Sequence, residues 1–233
     1  MSNWQPLEAN SELITKYVTS IGFDSSEFEF QDLLSYVEWA QHMIKKPVLG
    51  LLYCYDSSEK QKEHKLQEAD AIVKDGQHVS SNLFYMKQLV KNACGTVGVF
   101  HMLGNLPASY SYLIKGDSML ANFYAKCHRK SDQECGEIFA HDDEIKDNHI
   151  VATQEGSSNV QDHLETSNHF MALVLRDDCI YELDGRKPYP VNHGPSSQET
   201  FLSDACKVIQ KFIERDPGNL NAALQVLAPK QDE

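Results

Sequence analysis

One cysteine stands where a thiol could act as a nucleophile. In "MKQLVKNACGTVGVFHMLGN", Met86 to Asn105, Cys94 heads an apolar run that reads as a helix ending near Gly104. A thiol in the first turn of a helix meets unpaired backbone N–H groups and the positive end of the dipole. Both favour the thiolate. Gly95 is expected to keep the approach open for a substrate carbonyl. The same position also suits a cysteine that only fills a core, so the thiol alone decides nothing.

A nucleophilic thiol needs a base and a group that orients the base. His169 stands at the start of "HFMALVL" and Asp184 at the end of "CIYELDG". The two runs, parted by "RDD", read as the strands of a hairpin. A two-residue loop at Arg176–Asp177, or a four-residue loop from Leu175 to Asp178, puts His169 directly opposite Asp184. Their Cβ atoms would then lie ~5 Å apart on one face. A loop of odd length breaks that pairing. Taken singly, Asp184 also fits a turn before Gly185, and His169 fits a hydrogen-bonded histidine at a strand end.

Acyl transfer also needs donors for the developing oxyanion. Gln88 precedes Cys94 by six residues and could return a side-chain N–H to a carbonyl that meets the Cys94 amide. The order Gln88, Cys94, His169, Asp184 is a papain-like order for a thiol protease site.

The elements that must position these residues are partly legible. Leu13, Tyr17, Val18 and Ile21 have helical spacing, closed by Gly22, and "LLSYVEWAQHM" reads as a second helix ended before Pro47. "PVLGLLYCY" is continuously apolar and reads as a buried central strand. The polar stretch from Asp56 to Asp75 reads as exposed loop and helix, and helices fill much of Ser81 to Cys135. From about Asp147 to Ser167 apolar residues are sparse and no period persists, which predicts a long functional loop. Ser196 and Glu199 have capping-box spacing before a helix lined by Phe201, Ala205, Val208, Ile209 and Phe212. Ala222, Leu224 and Val226 alternate as a last strand. The result is a mixed α and β chain without repeats.

The formal net charge of −13 argues against nucleic acid, whose phosphates it would repel, and suits a basic partner or a merely soluble surface. No apolar run approaches the ~20 residues that cross a bilayer. The start, "MSNWQPLEANSEL", does not read as a signal peptide, so the expected place is the cytoplasm or the nucleus. Six cysteines without C-x-x-C spacing are expected to be reduced, not bound to metal. Cys54, Cys179 and Cys206 read as small core residues, and Cys127 and Cys135 as surface thiols. The nearest cysteine in sequence that could resolve an oxidised Cys94 is Cys127, with no motif linking them.

"QLVKNACGT" and "HFMALVLRDDCIYELDGRKPYPVNHG" resemble the two signature regions of the ubiquitin C-terminal hydrolases, and "WQPLEAN" and "FIERDP" resemble the short single-domain members. The resemblance runs from about Trp4 to Leu227. It implies Cys94 as nucleophile, His169 as general base and acid, Asp184 as its orienting carboxylate and Gln88 as oxyanion donor. Leu7 would contact ubiquitin, and about 147–167 would be the active-site crossover loop. The implied fold is an α/β papain-like domain over 1–233, a central antiparallel sheet with helices on both sides and a knotted backbone. The implied activity is thiol-dependent cleavage of small adducts or short peptides from the C-terminal glycine of ubiquitin, or of ubiquitin-like proteins, by a monomer needing neither metal nor cofactor. The rival expectation is a ubiquitin-sequestering module whose turnover is incidental.

Overall fold

The computed structural model describes residues 4–156, 167–219 and 221–231. In chain order it forms α1 (Ser11–Ser20), β1 (Phe28–Asp32), α2 (Glu38–Gln41), β2 (Gly50–Asp56), α3 (Glu59–Asp75), α4 (Cys94–Leu103) and a 3₁₀ turn (Ala108–Leu113). There follow α5 (Met119–Cys127), α6 (Asp132–His141), α7 (Asp143–Gln154), β3 (Asn168–Arg176), β4 (Cys179–Leu183), β5 (Val191–Pro195), α8 (Phe201–Arg215) and β6 (Ala222–Pro229). The strands make one sheet in the order β1-β6-β2-β3-β4-β5, antiparallel at every junction. Among the described residues no helix is long and apolar enough to cross a membrane.

Successive side chains of a strand point to opposite faces, and here both faces are covered. Leu52, Ala172, Val174, Tyr181 and Leu183 enter a core shared with α1, α4, α5 and α6. Leu51, Tyr53, Met171, Leu173 and Ile180 enter a second core under α8. That is why "PVLGLLYCY" and "HFMALVL" are apolar throughout instead of alternating. α8 buries the stripe read from its sequence, Phe201, Ala205, Val208, Ile209 and Phe212. All ten residues of α4 are buried, so it is the central helix of the domain and carries Cys94 at its first position.

Several expectations are corrected. The helix read in "LLSYVEWAQHM" shrinks to α2, because Leu33 still pairs with the sheet through its N–H to the Leu224 carbonyl (2.9 Å). The loop read from Asp147 to Ser167 is helical through Gln154. The inward face of α7 is Ile145, His149 and Thr153, and two polar residues in three hide the apolar period. Residues 157–166 of that stretch lie outside the described residues. No capping box forms at Ser196–Glu199. A turn intervenes, Ser196 Oγ donates to the Asp204 carboxylate (2.9 Å), and α8 begins behind Thr200. Cys127 and Cys135 are buried, turned toward each other where α5 meets α6, with the Cys135 thiol 3.7 Å from the Cys127 carbonyl. Cys179 is only half-buried.

Candidate active site

Local geometry aims Cys94 at a cleft. Asn92 holds a left-handed conformation (φ 66°), which asparagine tolerates better than most residues. From there its amide donates to the Trp4 carbonyl (2.9 Å), while the Trp4 N–H donates to the Lys91 carbonyl (3.3 Å). The N-cap, Ala93, has no side chain to satisfy the first-turn amides of α4. Cys94 is 5% exposed and packs with Cys54 and Phe170. It lines a cleft of about 150 Å³ whose other walls include Gln5, Leu7, Ala9, Thr153 and Asn168. A larger groove of about 570 Å³, beside α2 and α8, holds none of the candidate residues.

Leu7 is buried, and Gly95 serves it. A methyl added at Gly95 would lie 2.9 Å from Leu7 Cβ, so the glycine admits the cleft wall and not, as expected, a substrate carbonyl. His149 holds the same wall from behind. Its Nε2 donates to the Gln5 carbonyl (2.7 Å), which leaves Nδ1 to accept from Thr96 Oγ1 (2.8 Å). Burial keeps that imidazole neutral, pushing it down to about 4.

The hairpin turns one residue later than expected. Arg176 pairs with Cys179 around Asp177 and Asp178, both at positive φ (44° and 56°), as a type I′ turn requires. Asp184 therefore lies not opposite His169 but diagonal to it. Because the register moved by two, both side chains keep to one face, and the diagonal spacing lets ring and carboxylate meet end-on. His169 Nε2 donates to Asp184 Oδ1 at 2.7 Å, and both residues are fully buried. His169 Nδ1 has no hydrogen-bond partner among the described residues and is the ring nitrogen left for Cys94.

The charges support one another. Burial pushes the Cys94 thiol up, but the His169 ring and its charge, with the Phe170 amide, outweigh burial and bring it below the ordinary thiol value. Burial pushes His169 down, yet the charge and hydrogen bond of Asp184 raise it above the usual histidine range. Burial disfavours the Asp184 carboxylate, but His169 and Lys65 hold it well below the carboxylate range. A thiolate beside an imidazolium is the arrangement of a thiol nucleophile with its acid in place.

Gln88 lies on the stretch that leads into α4. Its backbone N–H donates to the Gly185 carbonyl (2.8 Å), and its side-chain Nε2 donates to the Val90 carbonyl (3.0 Å). An amide has two N–H donors, so one bond fixes the group and the second N–H remains to be offered.

The whole of this frame matches known proteins. The family model for ubiquitin carboxyl-terminal hydrolase, family 1, covers residues 4–214. The chain belongs to this family. It is 34% identical to a ubiquitin carboxyl-terminal hydrolase of Drosophila melanogaster, over 99% of this chain and 100% of that one. It is 31% identical to the human ubiquitin carboxyl-terminal hydrolase isozyme L1, over 93% and 94%. The fold is also that of the Trichinella spiralis UCH37 catalytic domain bound to ubiquitin vinyl methyl ester, with TM-score 0.76 at 17% identity, covering 99% of this chain and 97% of that one. The chain is thus a cysteine-type hydrolase of mixed α and β class.

Around the family's thiol site the structure adds residues that sequence reading missed. Tyr85 Oη lies 2.7 Å from the Asp184 carbonyl and 2.8 Å from that of Lys187, bracing the turn behind the carboxylate. Buried Glu182 pairs with Lys187 (2.5 Å) and His193 (2.9 Å), and Lys187 also reaches Glu68 (2.5 Å). Lys65 touches Asp184 itself (2.5 Å). No local pattern marks Lys65, because α3 is polar on nearly all sides and any of its lysines reads as solvated. Cys54, not Cys127, is the cysteine that shares the cleft with Cys94.

Proposed function

We propose that this chain cleaves small adducts or short peptides from the C-terminal glycine of ubiquitin through a thioester on Cys94. The observation that carries the reading is the fully buried His169–Asp184 hydrogen bond beside a thiol whose acidity it raises. The Cys94 thiolate attacks the terminal carbonyl carbon. Charge moves to the carbonyl oxygen, which the free N–H of Gln88 and the Cys94 amide receive. The imidazolium of His169 gives its Nδ1 proton to the leaving amine as the C–N bond breaks. Water then attacks the thioester while His169 takes its proton, and the C–S bond breaks to restore the ion pair. Asp184 holds the ring in the tautomer that presents Nδ1 to sulfur.

Family membership and the ubiquitin adduct held by the UCH37 domain of like fold support ubiquitin as the substrate. Leu7, on the cleft wall, would touch its extended tail. The same chemistry extends to ubiquitin-like proteins whose tails enter the cleft. The chain acts as one catalytic domain and a monomer, and six free thiols suit the reducing cytoplasm or nucleus.

The test is ubiquitin carrying a C-terminal electrophile, with the adduct mapped by mass spectrometry, beside hydrolysis of a ubiquitin–fluorophore amide. A covalent adduct on Cys94 with turnover is expected. Tight binding with neither adduct nor turnover would make the protein a ubiquitin-holding module.

A further inference from the structure

α3 buries only Gln61, so apolar burial does not explain where it docks. Polar contacts do. Gln61 Nε2 donates to the Phe212 carbonyl (2.8 Å), Tyr189 Oη to the Ala69 carbonyl (2.6 Å), and Glu68 receives Lys187 (2.5 Å). Lys65 belongs to the same inner face and reaches further, to the catalytic carboxylate.

Asp184 has two oxygens to satisfy. Oδ1 takes the His169 Nε2 proton (2.7 Å) and the Arg186 backbone N–H (3.0 Å). Oδ2 takes the Lys65 ammonium at 2.5 Å. The Lys65 side chain is 18% exposed and that of Asp184 not at all, so this pair escapes most of the screening that weakens ion pairs at the surface. The ammonium also stands 5.7 Å from the Tyr55 ring centroid, and the edge-on His169 ring lies 5.8 Å from that same centroid.

We propose that Lys65 is a positioning residue of the hydrolase site, fixing Asp184 by its second oxygen and moderating the hold of Asp184 on the His169 proton. The inference rests on the reading of function above. A carboxylate tied by one oxygen can swing about its terminal torsion, which is broad; tied by both, it fixes the plane in which the imidazole must lie. The second effect is electrostatic. The groups facing His169 are Asp184 at the end of β4, Lys65 on α3, Cys94 on α4, Tyr55 on β2 and, beyond them, Arg186. Asp184 favours the imidazolium strongly, and an imidazolium held too firmly is a poor acid for a leaving amine. The positive charge of Lys65 opposes that hold.

The experiment compares the full chain with Lys65→Met and Lys65→Arg. Two profiles are taken against pH: kcat and KM for the ubiquitin–fluorophore amide, and the alkylation rate of Cys94 by iodoacetamide. The second needs no substrate. Lys65→Met should keep KM, lose roughly tenfold in kcat at neutral pH, the scale of one charge-assisted hydrogen bond, and move upward by up to about one pH unit both the alkaline limb of the kcat profile and the alkaline step at which alkylation passes from the ion-paired to the unpaired thiolate. Lys65→Arg should recover most of the rate and the limb. Wild-type limbs in Lys65→Met, a rate loss accompanied only by a lower Tm, or an arginine variant no better than methionine would overturn the proposal. If Lys65→Met does not fold, Lys65→Gln, which keeps a donor but not the charge, reads the same shift. Absence of turnover by the wild type would overturn the reading of function, while the alkylation profiles would still decide the role of Lys65.

Discussion

The Gln88 N–H and the Gly185 carbonyl are hydrogen-bonded at 2.8 Å, which joins the segment leading into α4 to the turn that follows Asp184. There is no room for a side chain at this junction. A methyl on Gly185 would stand 2.9 Å from Gln88 Cβ, 2.9 Å from Val97 Cγ1 and 3.0 Å from the Gln88 nitrogen. Gly185→Ala must displace backbone, so it should lower stability by about 1–3 kcal/mol. Because the strain falls between Gln88 and the turn that follows Asp184, both of which the proposed mechanism uses, kcat should drop by more than that stability loss alone accounts for. Chemical denaturation and steady-state hydrolysis on one sample check it; wild-type values in both would show that the turn yields freely.

Gln88→Ala should cost roughly 10²–10³ in kcat, the usual loss for one oxyanion donor. KM should change little, since the contact strengthens only as charge develops. A defect confined to KM would make Gln88 a binding residue instead.

Cys94→Ser and Cys94→Ala should lose hydrolysis and keep ubiquitin affinity by calorimetry. Labelling should also separate the two cysteines of the cleft. Burial pushes Cys54 up to about 12, so it stays a thiol at neutral pH while Cys94 reacts. Alkylation at pH 7 found mainly on Cys54 would refute the assignment of the nucleophile.

The shifts of Cys94 and His169 run toward each other, down from an ordinary thiol value of about 8.5 and up from a histidine value of about 6.5. Activity should therefore follow a bell whose acid limb lies below the ordinary thiol value and whose alkaline limb lies above the ordinary histidine value. Stability follows the same signs. The raised His169 stabilises the fold fully below its ordinary value and loses that contribution as pH climbs through the folded one. The depressed Asp184 contributes above the ordinary carboxylate range and loses it as pH falls through its own folded value. His169→Gln should flatten the alkaline part of the Tm–pH curve; an unchanged curve there would mean that the buried pair is not what titrates.

Much of the site was legible because strand parity is robust to small errors. The sequence pattern sets the hairpin turn one residue early, yet His169 and Asp184 still fall on one face, since a register shift of two preserves alternation. α4 and the stripe of α8 were legible through their apolar spacing. α7 was not, because His149 and Thr153 occupy core positions through hydrogen bonds that no hydropathy pattern records. Lys65 was hidden for the complementary reason, as a charged residue on a charged helix whose partner lies 119 residues away. The burial of Cys127 and Cys135 follows from the packing of α5 on α6, which a polar local sequence conceals.

β6 comes after every other strand, yet it lies between β1 and β2 and not at an edge. β2 is paired on one side with β6 and on the other with β3, where Tyr55 stands opposite His169. A growing chain that has made everything up to α8 still has β1 parted from the four strands β2 to β5. His169 is then anchored to a strand that keeps one bare edge until β6 has been synthesised and inserted. Pairings this distant make the contact order high and folding correspondingly slow. A nascent polypeptide of this sequence accordingly completes the support of His169 only when its closing strand arrives.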